Sequence, residues 1–161
     1  MNSLSSTLSK STKRTIKPRW LLRFLSTEGL DTKAIAKVVG LNPENLLDDQ
    51  GSMPLDSYLQ LFEWASSKFS RPHLGLELAS DYKLEDYGVL LFLASSADTF
   101  GEGFRLFERY QRILMQGETV QIIEHKDAVE LRFTITTGHT DRTAQDVEFS
   151  LCSMVSGAKC I

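Results

Sequence analysis

The chain has 161 residues and a mass of 18.1 kDa, about the size of one domain. Hydrophobic residues make up 42% and charged residues 24%, a globular composition that excludes collagen-like, low-complexity and wholly disordered chains. The longest apolar run, Val89–Ala94, is too short to cross a membrane, and two cysteines cannot form a disulfide framework. A formal net charge of −3 provides no overall positive charge for binding nucleic acid.

The basic charge is concentrated at the start of the chain. Residues 1–27 contain six basic side chains and no acid, whereas the remainder contains 12 basic and 21 acidic residues. Residues 1–17 are rich in Ser, Thr and Lys and poor in apolar side chains, which predicts a disordered basic leader. A tail that contacts DNA phosphates is the alternative interpretation. We expect the folded domain to cover residues 18–161.

Apolar residues recur at intervals of three and four through the next part of the chain, as is typical of amphipathic helices. A first helix is predicted from Pro18 to just before Gly29. A second is predicted to begin at Thr32, whose hydroxyl can cap it, and to end at Gly40. A proline-initiated turn follows at Asn42-Pro43.

The middle of the chain predicts three further helical or buried segments. Pro54 begins a helix that ends at Arg71-Pro72, because the residue before a proline disfavours helical geometry. Leu74–Ala79 is predicted to be a short helix. Gly88–Ala94 is almost uniformly apolar, so we expect it to be buried in either secondary structure.

In the last part of the chain, the spacing of apolar residues changes from the helical repeat of 3.6 to the strand repeat of 2 and then back to 3.6. Thr99 and Glu102 form a capping-box pattern that begins a helix. A segment around Val120 and the stretch Ala128–Thr136 alternate apolar and polar residues, which predicts two strands, with a hairpin turn at Lys126-Asp127.

A helical pattern returns from Arg142 and continues to Ile161, where the sequence stops on an apolar residue without a helix-ending signal. We therefore expect the domain to be truncated. The predicted fold class is α+β, with a mainly helical N-terminal part, an antiparallel hairpin or small sheet, and a C-terminal helix.

The sequence contains no recognisable catalytic or metal-binding motif. Its three histidines are not spaced as paired metal ligands, and it lacks a nucleophile elbow and a glycine-rich phosphate loop. Cys152 and Cys160 would lie about 12 Å apart along one helix, too far for a mutual disulfide. We predict that the protein is not an enzyme and that it binds no cofactor or metal.

Aromatic side chains are dense for so small a domain, and two interpretations of them stay open. The first is a core of packed helices. The second is a pocket for an apolar small molecule, in which tyrosine hydroxyls and an arginine hold the polar groups of the ligand. The candidate effector-binding residues of the second interpretation are Trp64, Tyr87, Phe92, Tyr110 and Arg112.

Five segments between Gly40 and Leu114 follow one another in order: GLNPENLL at 40–47, MPL at 53–55 leading to Tyr58 and the helix at 62–65, HLGLELA at 73–79, YGVLL at 87–91, and SADTFGEGF at 96–104 with Tyr110. Together they resemble the N-terminal effector domain of AraC-type transcription regulators, in its arabinose-binding variant. The sequence departs from the usual pattern at Asp98, where the family has proline, and at Gly103-Phe104, where the family has a small residue and leucine.

The resemblance implies a small-molecule-sensing and dimerising domain of a bacterial, cytoplasmic transcription regulator. Effector binding would favour one of two conformations and so control DNA binding by a C-terminal helix-turn-helix domain. The expected partners are an unidentified small-molecule effector and a second copy of the chain in a homodimer. We expect DNA to be bound only through the helix-turn-helix domain, which this chain lacks, and no membrane to be bound. The alternative is a stand-alone interaction module that forms heterodimers with a full-length regulator.

Overall fold

The computed structural model describes residues 13–49, 51–81, 89–113, 115–136 and 140–158. In these residues, helices are separated by one short strand pair and one longer hairpin, which confirms the α+β class. Single 3₁₀ turns occupy Pro43–Asn45, Gln111–Ile113 and Thr140–Arg142. The helices are α1 (Pro18–Thr27), α2 (Thr32–Val38), α3 (Leu55–Lys68), α4 (Leu74–Ser80), α5 (Val89–Ser95), α6 (Phe100–Tyr110) and α7 (Ala144–Ala158), and the strands are β1 (Arg14–Thr15), β2 (Met53–Pro54), β3 (Glu118–Glu124) and β4 (Val129–Ile135).

Two predicted helix N-termini show how local sequence sets a helix boundary. The hydroxyl of Thr99 accepts a hydrogen bond from the backbone N–H of Glu102, which confirms the predicted cap of α6. Helix α2 is capped one residue earlier than predicted. The carboxylate of Asp31, which has extended backbone geometry, accepts from the N–H of Ala34 at 2.7 Å, so Thr32 is the first helical residue.

Helix α3 lies at the centre of the hydrophobic core. Its Tyr58 and Phe62 rings pack together at 5.7 Å between centroids, and Phe62 meets Phe149 of α7 edge-on at 6.1 Å. Burying each large apolar side chain of this kind contributes roughly 1.5–3 kcal/mol. The other buried core side chains come from α1, α2, α3, α4, β2 and the end of the 3₁₀ turn at Pro43–Asn45: Leu21, Phe24, Leu25, Ile35, Ala36, Leu46, Met53, Leu55, Leu59, Leu61, Ala65, Leu74 and Ala79.

Helices α4 and α7 approach each other closely at Gly75. A Cβ atom placed on Gly75 would lie 2.1 Å from the backbone oxygen of Gln145, so only glycine fits there. The Gly75 N–H donates to Gln145 Oε1 at 2.9 Å, and Gln145 Nε2 donates to the carbonyl of Pro72 at 2.9 Å. The Gln145 N–H donates to Glu63 Oε1 at 2.8 Å, which joins α7 to α3 as well.

The β3–β4 hairpin is present as predicted. The backbone N–H of His125 donates to the carbonyl of Ala128 at 2.8 Å and closes the turn at Lys126-Asp127. The buried side chain of Gln111 supplies further pairing at the outer edge of β3. It donates to the carbonyl of Val120 at 2.7 Å and accepts from the Val120 N–H at 2.6 Å, as a neighbouring strand would.

The fold includes residues that precede the expected start at Pro18. Arg14 and Thr15 pair with β2, and the Leu55 N–H donates to the carbonyl of Lys13 at 2.8 Å. Residues 13–17 therefore do not belong to the predicted leader of residues 1–17, because they have hydrogen-bond partners far along the sequence. Residues 1–12 lie outside the described residues.

The prediction that Gly88–Ala94 is buried is confirmed at Leu90 and Ala94 but wrong at Val89 and Phe92. Helix α5 buries Leu90 and Ala94, but it exposes 68% of Val89 and 80% of Phe92. Its main contact is with α6, so its opposite face meets solvent. Gly88 itself lies outside the described residues.

Candidate ligand-binding site

The side chain of Lys17 is the polar centre of the candidate site. Lys17 lies in the turn between β1 and α1, immediately before Pro18, and only 9% of its side chain is exposed. A buried ammonium is strongly unfavourable unless charged or hydrogen-bonding partners replace its water. Lys17 finds these partners on β3 and α7.

Two carboxylates and a hydroxyl surround the Lys17 ammonium. Nζ lies 2.5 Å from Oε1 of Glu118, 3.0 and 3.2 Å from the two carboxylate oxygens of Asp146, and 2.9 Å from Oγ of Ser150. The hydroxyl of Tyr58 donates to Asp146 Oδ1 at 2.9 Å. These five residues are called the Lys17 cluster below, and they join the β1–α1 turn, α3, β3 and α7.

Secondary structure explains why the cluster residues meet. Asp146 lies in the first turn of α7, where the helix dipole stabilises a negative charge. Ser150 lies four residues later on the same face. Glu118 begins β3 and shares its buried face with Val120, because alternate residues of a strand point to the same side.

Burial and mutual charge shift the ionisation of two members of the cluster. Burial raises the pKa of Glu118 to about 8, with Asp146 adding to the rise and the Lys17 ammonium opposing it. For Lys17, burial acts to lower the pKa, but the charges of Asp146 and Glu118 outweigh it, and its pKa is raised above 10.5. The surroundings therefore make Glu118 harder to ionise than a free carboxyl group and favour the charged form of Lys17.

A cavity adjoins the Lys17 cluster where the β1–α1 turn, α5, α6, β4 and α7 meet. It is small, about 60 Å³, and most of its wall is apolar. The Lys17 ammonium also lies 5.0 Å from the centroid of the Phe133 ring, a cation–π distance. The described residues that line the cavity are Ile16, Lys17, Leu90, Phe107, Met115, Phe133, Phe149, Ser150, Ser153 and Met154.

The candidate effector residues lie elsewhere. Trp64 packs at the edge of the core with Lys68 Nζ 5.5 Å from its ring, and Phe92 is exposed on α5. Tyr110 ends α6 beneath the Arg109 guanidinium, and Arg112 is exposed in the following turn. None of these four lines the cavity, and the fifth, Tyr87, lies outside the described residues. Their role in effector binding stays a prediction.

Sequence reasoning did not identify the Lys17 cluster, although two weak signals were present. Glu118 occupies the apolar face of the first predicted strand, in phase with Val120. Asp146 and Ser150 share the inner face of the last predicted helix. A charged residue on an otherwise apolar face indicates that its side chain is buried together with an ion-pair or hydrogen-bond partner. Lys17 carried no such signal, because no periodic pattern surrounds it.

The described part of the chain supports neither a metal site nor a membrane-spanning helix. No group of three or more His, Cys, Asp or Glu side chains could hold a metal ion there. Among the same residues, no helix combines the length and the apolar character needed to span a bilayer.

Comparison with known proteins identifies the family. Residues 29–161 match the family model described as the arabinose-binding domain of AraC transcription regulators, N-terminal. The match contains the predicted region of resemblance and extends it through the hairpin and α7. No curated protein matches the chain. Because the family model covers most of the sequence, the chain belongs to the family of N-terminal effector-binding domains of AraC-type transcription regulators.

Proposed function

We propose that this domain senses a small molecule, forms a dimer, and controls the DNA binding of a C-terminal domain in a bacterial, cytoplasmic transcription regulator. The observation that carries the proposal is the cavity beside the Lys17 cluster in a chain of this family. A ligand there contacts the β1–α1 turn, β4 and α7 at once. It can therefore favour one arrangement of these segments over another, which is the thermodynamic basis of an effector response.

The sensing role is tested by thermal unfolding of the 161-residue chain with a panel of sugars, carboxylates and neutral apolar compounds. A ligand that binds only the folded state raises the melting temperature, and the rise grows with ligand concentration. We expect at least one class to produce a saturable rise. If no compound of any class does so, a sensing role is contradicted.

Dimerisation is supported by apolar side chains exposed on two helices beside the cavity. Val89 and Phe92 of α5 are 68% and 80% exposed, and Val155 of α7 is 53% exposed. Exposed apolar side chains that lie together mark interaction surfaces more often than single exposed apolar side chains do. The same observation favours the second candidate function, an interaction module that pairs with a full-length regulator.

We expect Phe92→Ser to weaken self-association of the chain by about tenfold or more, because buried aromatic side chains dominate interface energies. The melting temperature should not change, since Phe92 is already 80% exposed. Ile113→Ser is the matched control, because Ile113 is 69% exposed but lies outside α5 and α7. Sedimentation equilibrium measures both variants.

A wild-type chain that sediments as a monomer at all concentrations contradicts homodimerisation. If it then captures a full-length family regulator through Phe92, the interaction-module function takes its place. A dimer that Phe92→Ser leaves unchanged shows that α5 is not in the interface.

A further inference from the structure

We propose that the cavity beside the Lys17 cluster binds a small, uncharged, mainly apolar molecule with a single hydrogen-bonding group, which Ser150 recognises. The inference rests on the proposed sensing function and names the class of its effector. It differs from what the family description implies, since arabinose is a sugar with several hydroxyl groups.

The wall of the cavity is unsuited to a sugar. Seven of the described lining residues are Ile, Leu, Phe or Met, and only Lys17, Ser150 and Ser153 carry polar side-chain groups. Each buried hydroxyl without a hydrogen-bond partner costs about 1–3 kcal/mol. A pentose has several hydroxyls to satisfy, so most of them would lose their water here without a replacement.

At the Lys17 end of the cavity, the Ser150 hydroxyl can donate one hydrogen bond. Ser150 Oγ accepts from the Lys17 ammonium at 2.9 Å, so its own hydrogen is left to donate. The Lys17 ammonium has three protons and is already surrounded by Glu118, Asp146 and Ser150. A ligand oxygen, such as that of an alcohol or a ketone, therefore pairs with Ser150 rather than with Lys17.

Charge balance disfavours an anionic ligand. The cluster contains one ammonium and two carboxyl groups, Glu118 and Asp146, which both have fully buried side chains. Its net charge is zero when Glu118 is protonated and −1 when it is ionised. In neither state does a positive charge remain to compensate the desolvation of a ligand carboxylate.

The size and flexibility of the cavity limit the ligand further. A volume of about 60 Å³ is far below the ~300–1,000 Å³ of pockets for drug-sized molecules. Met115 and Met154 are unbranched, so their side chains can move to enlarge the space. We expect a molecule with a compact hydrocarbon body rather than an extended one.

The two methionines also provide the test. The chain labelled with ¹³C at its methionine methyls is titrated with cyclohexanol, with cyclohexanecarboxylate and with L-arabinose. We expect cyclohexanol to shift the Met115 and Met154 signals saturably and to bind at least about tenfold more tightly than either other compound. Met53, which is fully buried in the core away from the cavity, is the internal control and should not shift.

A serine pair on α7 tests the polar contact. Ser150→Ala removes the donor, and we expect it to weaken cyclohexanol binding about two- to tenfold. Ser156→Ala is the matched control, because Ser156 lies on the same helix but does not line the cavity. Equal cyclohexanol affinities in the two variants would overturn the assignment of Ser150.

The remaining outcomes separate this inference from the proposed function. If L-arabinose or the carboxylate binds best and shifts Met115 and Met154, the ligand class is wrong but the sensing function stands. If compounds raise the melting temperature without shifting these signals, the cavity is not the effector site. If no compound shifts the signals or raises the melting temperature, both proposals fail.

Discussion

At the scale of single residues, Lys17 is a buried ammonium surrounded by two carboxyl groups and a hydroxyl. Its partners Glu118 and Asp146 lie 101 and 129 positions away along the sequence, and both their side chains are fully buried. Such a cluster is not a strong source of stability overall, because its attractions mainly repay the desolvation of its members. Removing one member, however, leaves the others without compensation.

We expect Lys17→Met to lower the free energy of unfolding by about 3–5 kcal/mol, since it leaves Asp146 buried without its counter-charge. Urea denaturation at neutral pH measures the loss. Lys33→Met is the control, because Lys33 is exposed on α2, and its effect should stay within about 0.5 kcal/mol. Equal stabilities of the two variants would show that the cluster does not form around Lys17.

At the scale of secondary structure elements, the contact between α4 and α7 holds the C-terminal helix on the core. Gly75 allows the two backbones to meet, and Gln145 connects α7 to both α4 and the Pro72 carbonyl. Asp146 and Ser150 follow Gln145 on the same helix. The position of the Lys17 cluster therefore depends on this helix contact.

We expect Gly75→Ala to destabilise the protein by about 1–3 kcal/mol or more, because the new methyl group would overlap the Gln145 carbonyl, a backbone atom that cannot rotate away. Gly101→Ala is the matched control, since Gly101 is an exposed helical glycine whose added methyl group would meet no atom within 4 Å. That change should leave stability unchanged or raise it by up to about 1 kcal/mol. Thermal and urea unfolding measure the stability of both variants. Equal stabilities would contradict the close contact between α4 and α7.

At the scale of the whole molecule, the Lys17 cluster makes stability depend on pH in a defined direction. The pKa of Glu118 rises from its ordinary 4.5 to about 8 on folding, so between these values the folded state holds a proton that the unfolded chain has released. The contribution of Glu118 to the free energy of unfolding is fully present below pH 4.5 and is lost as the pH rises through about 8. The pKa of Lys17 is raised above 10.5, so its contribution is lost only in stronger alkali.

We expect the free energy of unfolding to fall with rising pH between about 5 and 8, by up to ~1.4 kcal/mol per pH unit from Glu118. Glu118→Gln should remove this part of the slope, because a neutral amide replaces the protonated acid at every pH. Partly buried Glu130 acts in the opposite direction and in a lower pH range, since hydrogen bonds from His125 and Arg132 lower its pKa. Urea denaturation across the pH series tests the difference, and parallel curves for wild type and variant would contradict the raised pKa of Glu118.

The sequence by itself determined the helices, the hairpin and the family, because these depend on periodicity, caps and short motifs that are local along the chain. The predicted cap at Thr99 and the turn at Lys126-Asp127 are examples. The cavity, the Lys17 cluster and the exposure of Phe92 were decided only by tertiary structure. The reason is physical: each depends on which faces of distant segments meet, and burial of a charge is determined by partners that no local pattern contains.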